Sequence, residues 1–205
     1  STYLGQAAYL QLGYAETLSS VIERSPELAH KESLSRAAGA ALFKHQALVA
    51  LIRDRGQDPL ELMLPFREPL DSFRQATHGI RPLETMLTVH VTAGLLDDFY
   101  LSLSGSYGET GRRAAGILRA DADRSPLVAI ITDAIAGDDE MRSLLSLWGR
   151  RLVGDTLLVA RGALRPSATE RPGALGRDDE KQVEPVFTQL LGAHSRRMTS
   201  IGLDA

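Results

Sequence analysis

The 205-residue sequence contains no cysteine. That excludes a disulfide scaffold, thiolate zinc sites, thiolate-held iron–sulfur clusters and cysteine nucleophiles. Charge of one sign is also missing: 23 Lys plus Arg stand against 26 Asp plus Glu, a formal charge of −3, which exerts no global pull toward nucleic acid. No apolar run approaches the roughly 18 residues that a spanning helix needs, and the start does not read as a signal peptide. The expectation is a cytoplasmic protein that does not enter a membrane. Walker loops, Gly-x-Gly-x-x-Gly fingerprints, Gly-x-Ser-x-Gly elbows and zincin motifs are all lacking. So are alternating strand patterns and solenoid-length repeats.

What is present is helical periodicity. With 43% hydrophobic residues, the chain can bury a sizeable core as a single domain over residues 1–205. Leu4, Ala7, Ala8, Leu12, Ala15, Leu18 and Ile22 recur at three- and four-residue steps and predict a helix over 2–23. Ser25-Pro26-Glu27 has the form of an N-cap, a first-turn proline and a first-turn acid. It predicts a second helix over 26–56, about 30 residues and roughly 45 Å long, closed by Gly56. Pro59, Pro65 and Pro69 break up 57–80, where only a short helix near 68–77 is expected within a long connection. Pro82 opens a third long helix, 81–104. Shorter helices follow near 109–121 and 125–136, and a fourth long helix covers 139–164. Residues 165–180, polar and rich in proline and glycine, are expected to form an exposed loop. A last helix over 181–200 returns Val186, Phe187, Leu190 and Leu191 to the body.

Two long helices, a long crossover and two further long helices resemble the ferritin-like connection. The resemblance implies an all-α four-helix bundle running up-down-down-up, with extra short helices and a C-terminal helix. A narrower resemblance lies in local sequence. Ser35-Arg36-Ala37-Ala38, Lys44-His45-Gln46 and Arg53-Asp54-Arg55-Gly56 are similar to helix two of the tRNA methylthio-isopentenyl-adenosine hydroxylases, the MiaE-like branch of the ferritin-like superfamily. Leu95-Leu96-Asp97-Asp98-Phe99 is similar to helix three of that branch, and the run from Arg142 to Arg151 to its helix four.

In the metal-binding members, one Glu from each of two helices and a Glu-x-x-His pair from each of the other two hold two irons. Carried onto this chain, the pattern places Glu16 on helix one, Asp97 on helix three, Ala41 and Lys44 on helix two, and Trp148 and Arg151 on helix four. A one-residue slip on helix two offers Leu42 and His45 instead. The resemblance therefore implies a degenerate di-iron site in which no cofactor is expected, with Lys44 and Arg151 supplying charge beside Glu16 and Asp97. Asp97 and Asp98 point about 100° apart on a helix; Asp97 is expected inward and Asp98 at the surface.

Alternatives stay open at this point. Glu16, His45, His90 and Asp97 could form a mononuclear iron set, His90 lying seven residues before Asp97 and so on much the same face. An oxygen-dependent tRNA hydroxylase, as the resemblance implies, would rest on those residues. An emptied cavity lined by Ala41, Leu42 and Trp148 could instead hold an apolar ligand. A homodimer is expected, since such bundles pair along a helix face. From Arg142 onward the chain carries +3, against −6 for the first 141 residues, a weak footprint for tRNA. His30, His78 and His194 fall near helix ends, where solvent or terminal carbonyls are the expected partners.

Overall fold

A computed structural model describes residues 2–120, 124–163 and 177–205. Eight α-helices fill these segments: α1 Thr2–Arg24, α2 Leu28–Asp54, α3 Pro59–Ala76, α4 Pro82–Ser104, α5 Gly108–Arg119, α6 Ser125–Ile135, α7 Asp139–Ala163 and α8 Arg177–Ser200. A single 3₁₀ turn, Gly105–Tyr107, joins α4 to α5. No strand occurs among the described residues. Of the loop expected over 165–180, residues 165–176 lie outside the described residues, and 177–180 are already the first turn of α8.

Helix starts follow from local chemistry, with one correction. Ser25 does not cap α2. Its hydroxyl donates back to the Val21 carbonyl at 2.9 Å, closing α1, and Glu27 takes the N-cap position without a side-chain bond. Pro59 opens α3, where Asp58 accepts from the Leu60 N–H at 2.8 Å. At α4 the Glu84 carboxylate reaches back to the Arg81 N–H at 3.0 Å.

The expected short helix near 68–77 is instead the 18-residue α3, with Pro65 and Pro69 inside it. An internal proline removes a backbone hydrogen bond and crowds the preceding turn. Here both rings sit on the exposed face, so the carbonyls they orphan, those of Glu61 and Pro65, belong to exposed residues. Met63, Phe66 and Leu70 are buried on the other side, and their packing outweighs the broken ladder. At Gly5 a Cβ would strike the Leu62 backbone, so glycine lets α3 lie directly on α1.

The four-helix arrangement is closed by α1, α2, α4 and the α5–α6 pair, each packed on its neighbours in that ring. Gln6 and Gln11 of α1 bond to Tyr100 and Asp97 of α4, so these helices run antiparallel. Arg113 of α5 meets Asp54 at the end of α2, and Leu127 of α6 lies beside Ala37 in the first half of α2. The α5–α6 pair therefore runs opposite to α2 and completes up-down-down-up. The helix over 139–163 forms as expected but lies outside this ring. Trp148 of α7 meets Thr88 early in α4, and the Val159 carbonyl meets Gln6 near the other end, which makes α7 parallel to α4.

With α1, α5, α6, α7 and α8 all against it, α4 is buried continuously from Glu84 to Asp97. Its Thr88 and Thr92 hydroxyls donate to carbonyls four residues back, at 3.0 and 2.8 Å, so neither is left unpaired in this dry surround.

Candidate functional site: a charge cluster at the bundle centre

A cavity of about 40 Å³ lies where α1, α2, α4 and the α5–α6 break converge. Residues three or four apart share a helix face, and each helix obeys this spacing: Gln11 and Tyr14 on α1, Ala41 and Lys44 on α2, Ala93 and Asp97 on α4. Arg124 arrives from the N-cap of α6. Asp97 is the centre of the cluster. Its Oδ2 accepts from Lys44 Nζ at 3.4 Å and from Arg124 Nη1 at 3.2 Å, and its Oδ1 accepts from Gln11 Nε2 at 3.1 Å. Lys44 and Asp97 are each 4% exposed.

Burial pushes the Asp97 carboxyl above the usual carboxylate range, while the Lys44 ammonium and Arg124 guanidinium pull the other way. A buried carboxylate is tolerable only when paired and hydrogen-bonded, and here both oxygens are engaged. The Tyr14 hydroxyl is buried beside Thr92 with no partner in close hydrogen-bond geometry, and burial raises its pKa far above the usual phenol value; it stays a neutral donor. Tyr14 and Val89 also border a second cavity, of about 30 Å³, between α1, α3 and α4.

The donor set does not fit a di-iron centre. Two such ions need several carboxylates and imidazoles to offset their desolvation. Among the described residues Asp97 is the one carboxylate lining the cavity, and two cations already hold it. No three His, Cys, Asp or Glu side chains among the described residues are grouped to hold a metal ion.

Several positions proposed from the sequence lie elsewhere. Glu16 is exposed and pairs with Arg74 of α3, not with Lys44; it is two residues past Tyr14, hence on the opposite side of α1. The α1 residue that meets Asp97 is Gln11. On α2, Ala41 and Lys44 line the cavity, whereas Leu42 is 40% exposed. The His45 Nδ1 lies 2.8 Å from the Ala8 carbonyl, tied to the α1 backbone and not to the cavity.

Trp148 and Arg151 are not at the centre either, because α7 is outside the ring. The Trp148 indole N–H donates to Thr88 Oγ1 at 2.9 Å, and the exposed Arg151 guanidinium lies 5.2 Å from the indole ring. Leu42 and Trp148 therefore do not line the cavity.

The histidines also depart from expectation. His90 does not share the cavity with Asp97; it is buried beside His194 and Arg197 of α8. His194 is likewise buried, 3% exposed, with neither ring nitrogen bonded. Asp98 pairs with Arg197 at 2.7 Å.

The sequence reading missed Gln11 and Arg124. A neutral amide has no place in a search for metal ligands. Arg124 had one available signal: α5 and α6 together cover 108–135, as many residues as any core helix, with the arginine at the interruption.

Four helices closed around an interior cluster, with a crossover helix between the second and third, define a ferritin-like bundle. The chain matches the family model for a ferritin-like domain of actinomycetes over residues 1–168 and belongs to that family. No curated protein matches it. No helix among the described residues is long and apolar enough to cross a membrane.

Proposed function

We propose that this chain is a ferritin-like protein whose bundle centre works without a di-iron cofactor, as a ligand-binding or interaction protein and not as an oxygenase. The observation that carries this reading is the pairing of Asp97 with both Lys44 and Arg124. These cations occupy the space and supply the charge that metal ions would supply, and a cation entering beside them would meet repulsion. We read residues 1–205 as one unit, because apolar side chains from Tyr3 to Leu203 join one buried cluster. Membership in the MiaE-like branch is part of the proposal and is supported by the Lys44-His45-Gln46 and Leu95–Phe99 stretches quoted above. Leu147 and Leu158 of α7, three turns apart and both exposed, support a homodimer along that face. Hydroxylation of a tRNA base has only the sequence resemblance behind it, and the donor set opposes it.

Metal analysis tests the reading. Protein produced in medium supplemented with iron and manganese should carry far less than one transition metal per chain and show no iron–oxo absorption. Two metals per chain, lost on Asp97→Ala, would overturn it.

A further inference from the structure

We propose that the bundle-centre cavity is a binding site for a small carboxylate monoanion of one or two carbons, held by Lys44, Arg124 and the Tyr14 hydroxyl. The inference rests on the reading of a centre without metal and adds the class of ligand.

The first argument is charge. Lys44 and Arg124 bring two positive charges to the cavity and Asp97 brings one negative charge. Among the described residues the site carries one positive charge more than negative, in a region where Lys44 is 4% exposed. Buried charges are found paired, and one monoanion neutralises this one. A dianion would overshoot, and a cation would add to the excess.

The second argument is donor capacity. A lysine ammonium has three N–H donors and a guanidinium five. Each uses one on Asp97, whose other oxygen is taken by Gln11. Asp97 so accepts three bonds, and the remaining N–H donors of Lys44 and Arg124 outnumber the about one lone pair left on it. Tyr14, 7% exposed, lines the same cavity, and its hydroxyl, beside Thr92 but in close hydrogen-bond geometry with no group, is a third donor available to an acceptor. The start of α6 at Arg124 adds the positive end of a helix dipole.

The third argument is shape. A buried water occupies at least about 10–15 Å³ of such volume, so a cavity of about 40 Å³ holds about three non-hydrogen atoms comfortably. Formate fits, and acetate fills it. Ala37, Ala41 and Ala93 add methyl groups to the lining, against which an acetate methyl group sits without losing a hydrogen bond. A planar carboxylate also accepts two parallel bonds from a guanidinium, which a spherical halide cannot do. Arg124, whose side chain is 25% exposed, is the member of the set that reaches solvent and so can meet the incoming anion.

The test uses the whole chain. ¹³C-formate and ¹³C-acetate are titrated by NMR, and Tm is followed in sodium formate, acetate and chloride at fixed ionic strength. Formate and acetate should bind saturably at one site and raise Tm above the chloride value. Tyr14→Phe should weaken binding about ten-fold with little change of Tm in chloride, and Arg124→Gln should abolish both binding and the rise. Equal Tm in all three salts, chloride competing as well as acetate, or unchanged binding in Tyr14→Phe would each overturn the proposal, even if Arg124→Gln failed to fold. Metal content measured on the same samples separates the two failures. A metal-loaded protein sinks the proposed function, whereas a metal-free protein indifferent to carboxylates sinks this inference alone.

Discussion

Lys44 and Asp97 come from helices that are not neighbours in the ring and meet at its centre, 3.4 Å apart and almost wholly out of water. The pair is unequal in consequence. Removing Asp97 leaves two cations facing each other, while removing Lys44 leaves Asp97 still held by Arg124 and Gln11. Breaking a buried pair by deleting one partner costs about 3–5 kcal/mol. Asp97→Leu is expected to reach that range and Lys44→Met to cost clearly less, about 1–3 kcal/mol on the same basis. Urea unfolding of the two variants checks the order; a Lys44 variant as damaged as the Asp97 variant would mean that Arg124 contributes nothing.

Glu16 is the contrasting case. Its partner Arg74 is on α3, and the Glu16 side chain is 54% exposed. Ion pairs in such positions contribute about 0–1 kcal/mol. Glu16→Ala should therefore melt within a few degrees of the parent, and a large drop in Tm would mean that Glu16 is not at the surface.

These two carboxylates also mark how far the sequence could be read. Helical periodicity carries burial, and burial sets where α1, α2 and α4 begin and end, so their bounds fall within a few residues of expectation. Asp97 facing inward follows from the same spacing. Placing Glu16 at the site rests on analogy to a ligand pattern, and analogy says nothing about which face of α1 meets α4. The α3 helix was hidden because proline penalties are local, whereas Met63, Phe66 and Leu70 are buried through tertiary packing. The largest gap concerns the fourth core helix. Length favoured the unbroken run over 139–164, yet the ring is closed by two short helices, and the break between them places Arg124 at the site. No local rule states which of several helices will pack inside.

The buried histidines make stability pH-dependent. Burial, with Arg124, Arg197 and His194 nearby, pulls the His90 imidazole down to about 3, and burial with Arg197 beside it holds His194 down to about 4. In the unfolded chain both titrate near 6.5. Below that value the unfolded state binds more protons than the folded one, so stability falls as pH falls and is fully present above 6.5. Each histidine should contribute roughly 2 kcal/mol of loss at pH 5. Denaturation at pH 7.5 and pH 5 measures it, and His90→Leu should make the difference between the two pH values smaller. A parent protein equally stable at both would show that the imidazoles are charged or solvated.

Gly94 and Arg197 give the last prediction. A Cβ at position 94 would strike the Arg197 side chain, which crosses α4 there on its way to Asp98. Glycine is costly in a helix interior, and in an open setting Gly→Ala would stabilise. Here the methyl group must displace a guanidinium that is half-buried and held by its ion pair with Asp98, and overpacking of this kind costs about 1–3 kcal/mol. Gly94→Ala is therefore expected to destabilise. In an Arg197→Ala background the obstacle is gone, and the same substitution should become neutral or stabilising. A double-mutant cycle reads the coupling directly. Additive effects would mean that the arginine does not lie over Gly94, and the reason for a glycine in the middle of the most buried helix would have to be sought elsewhere.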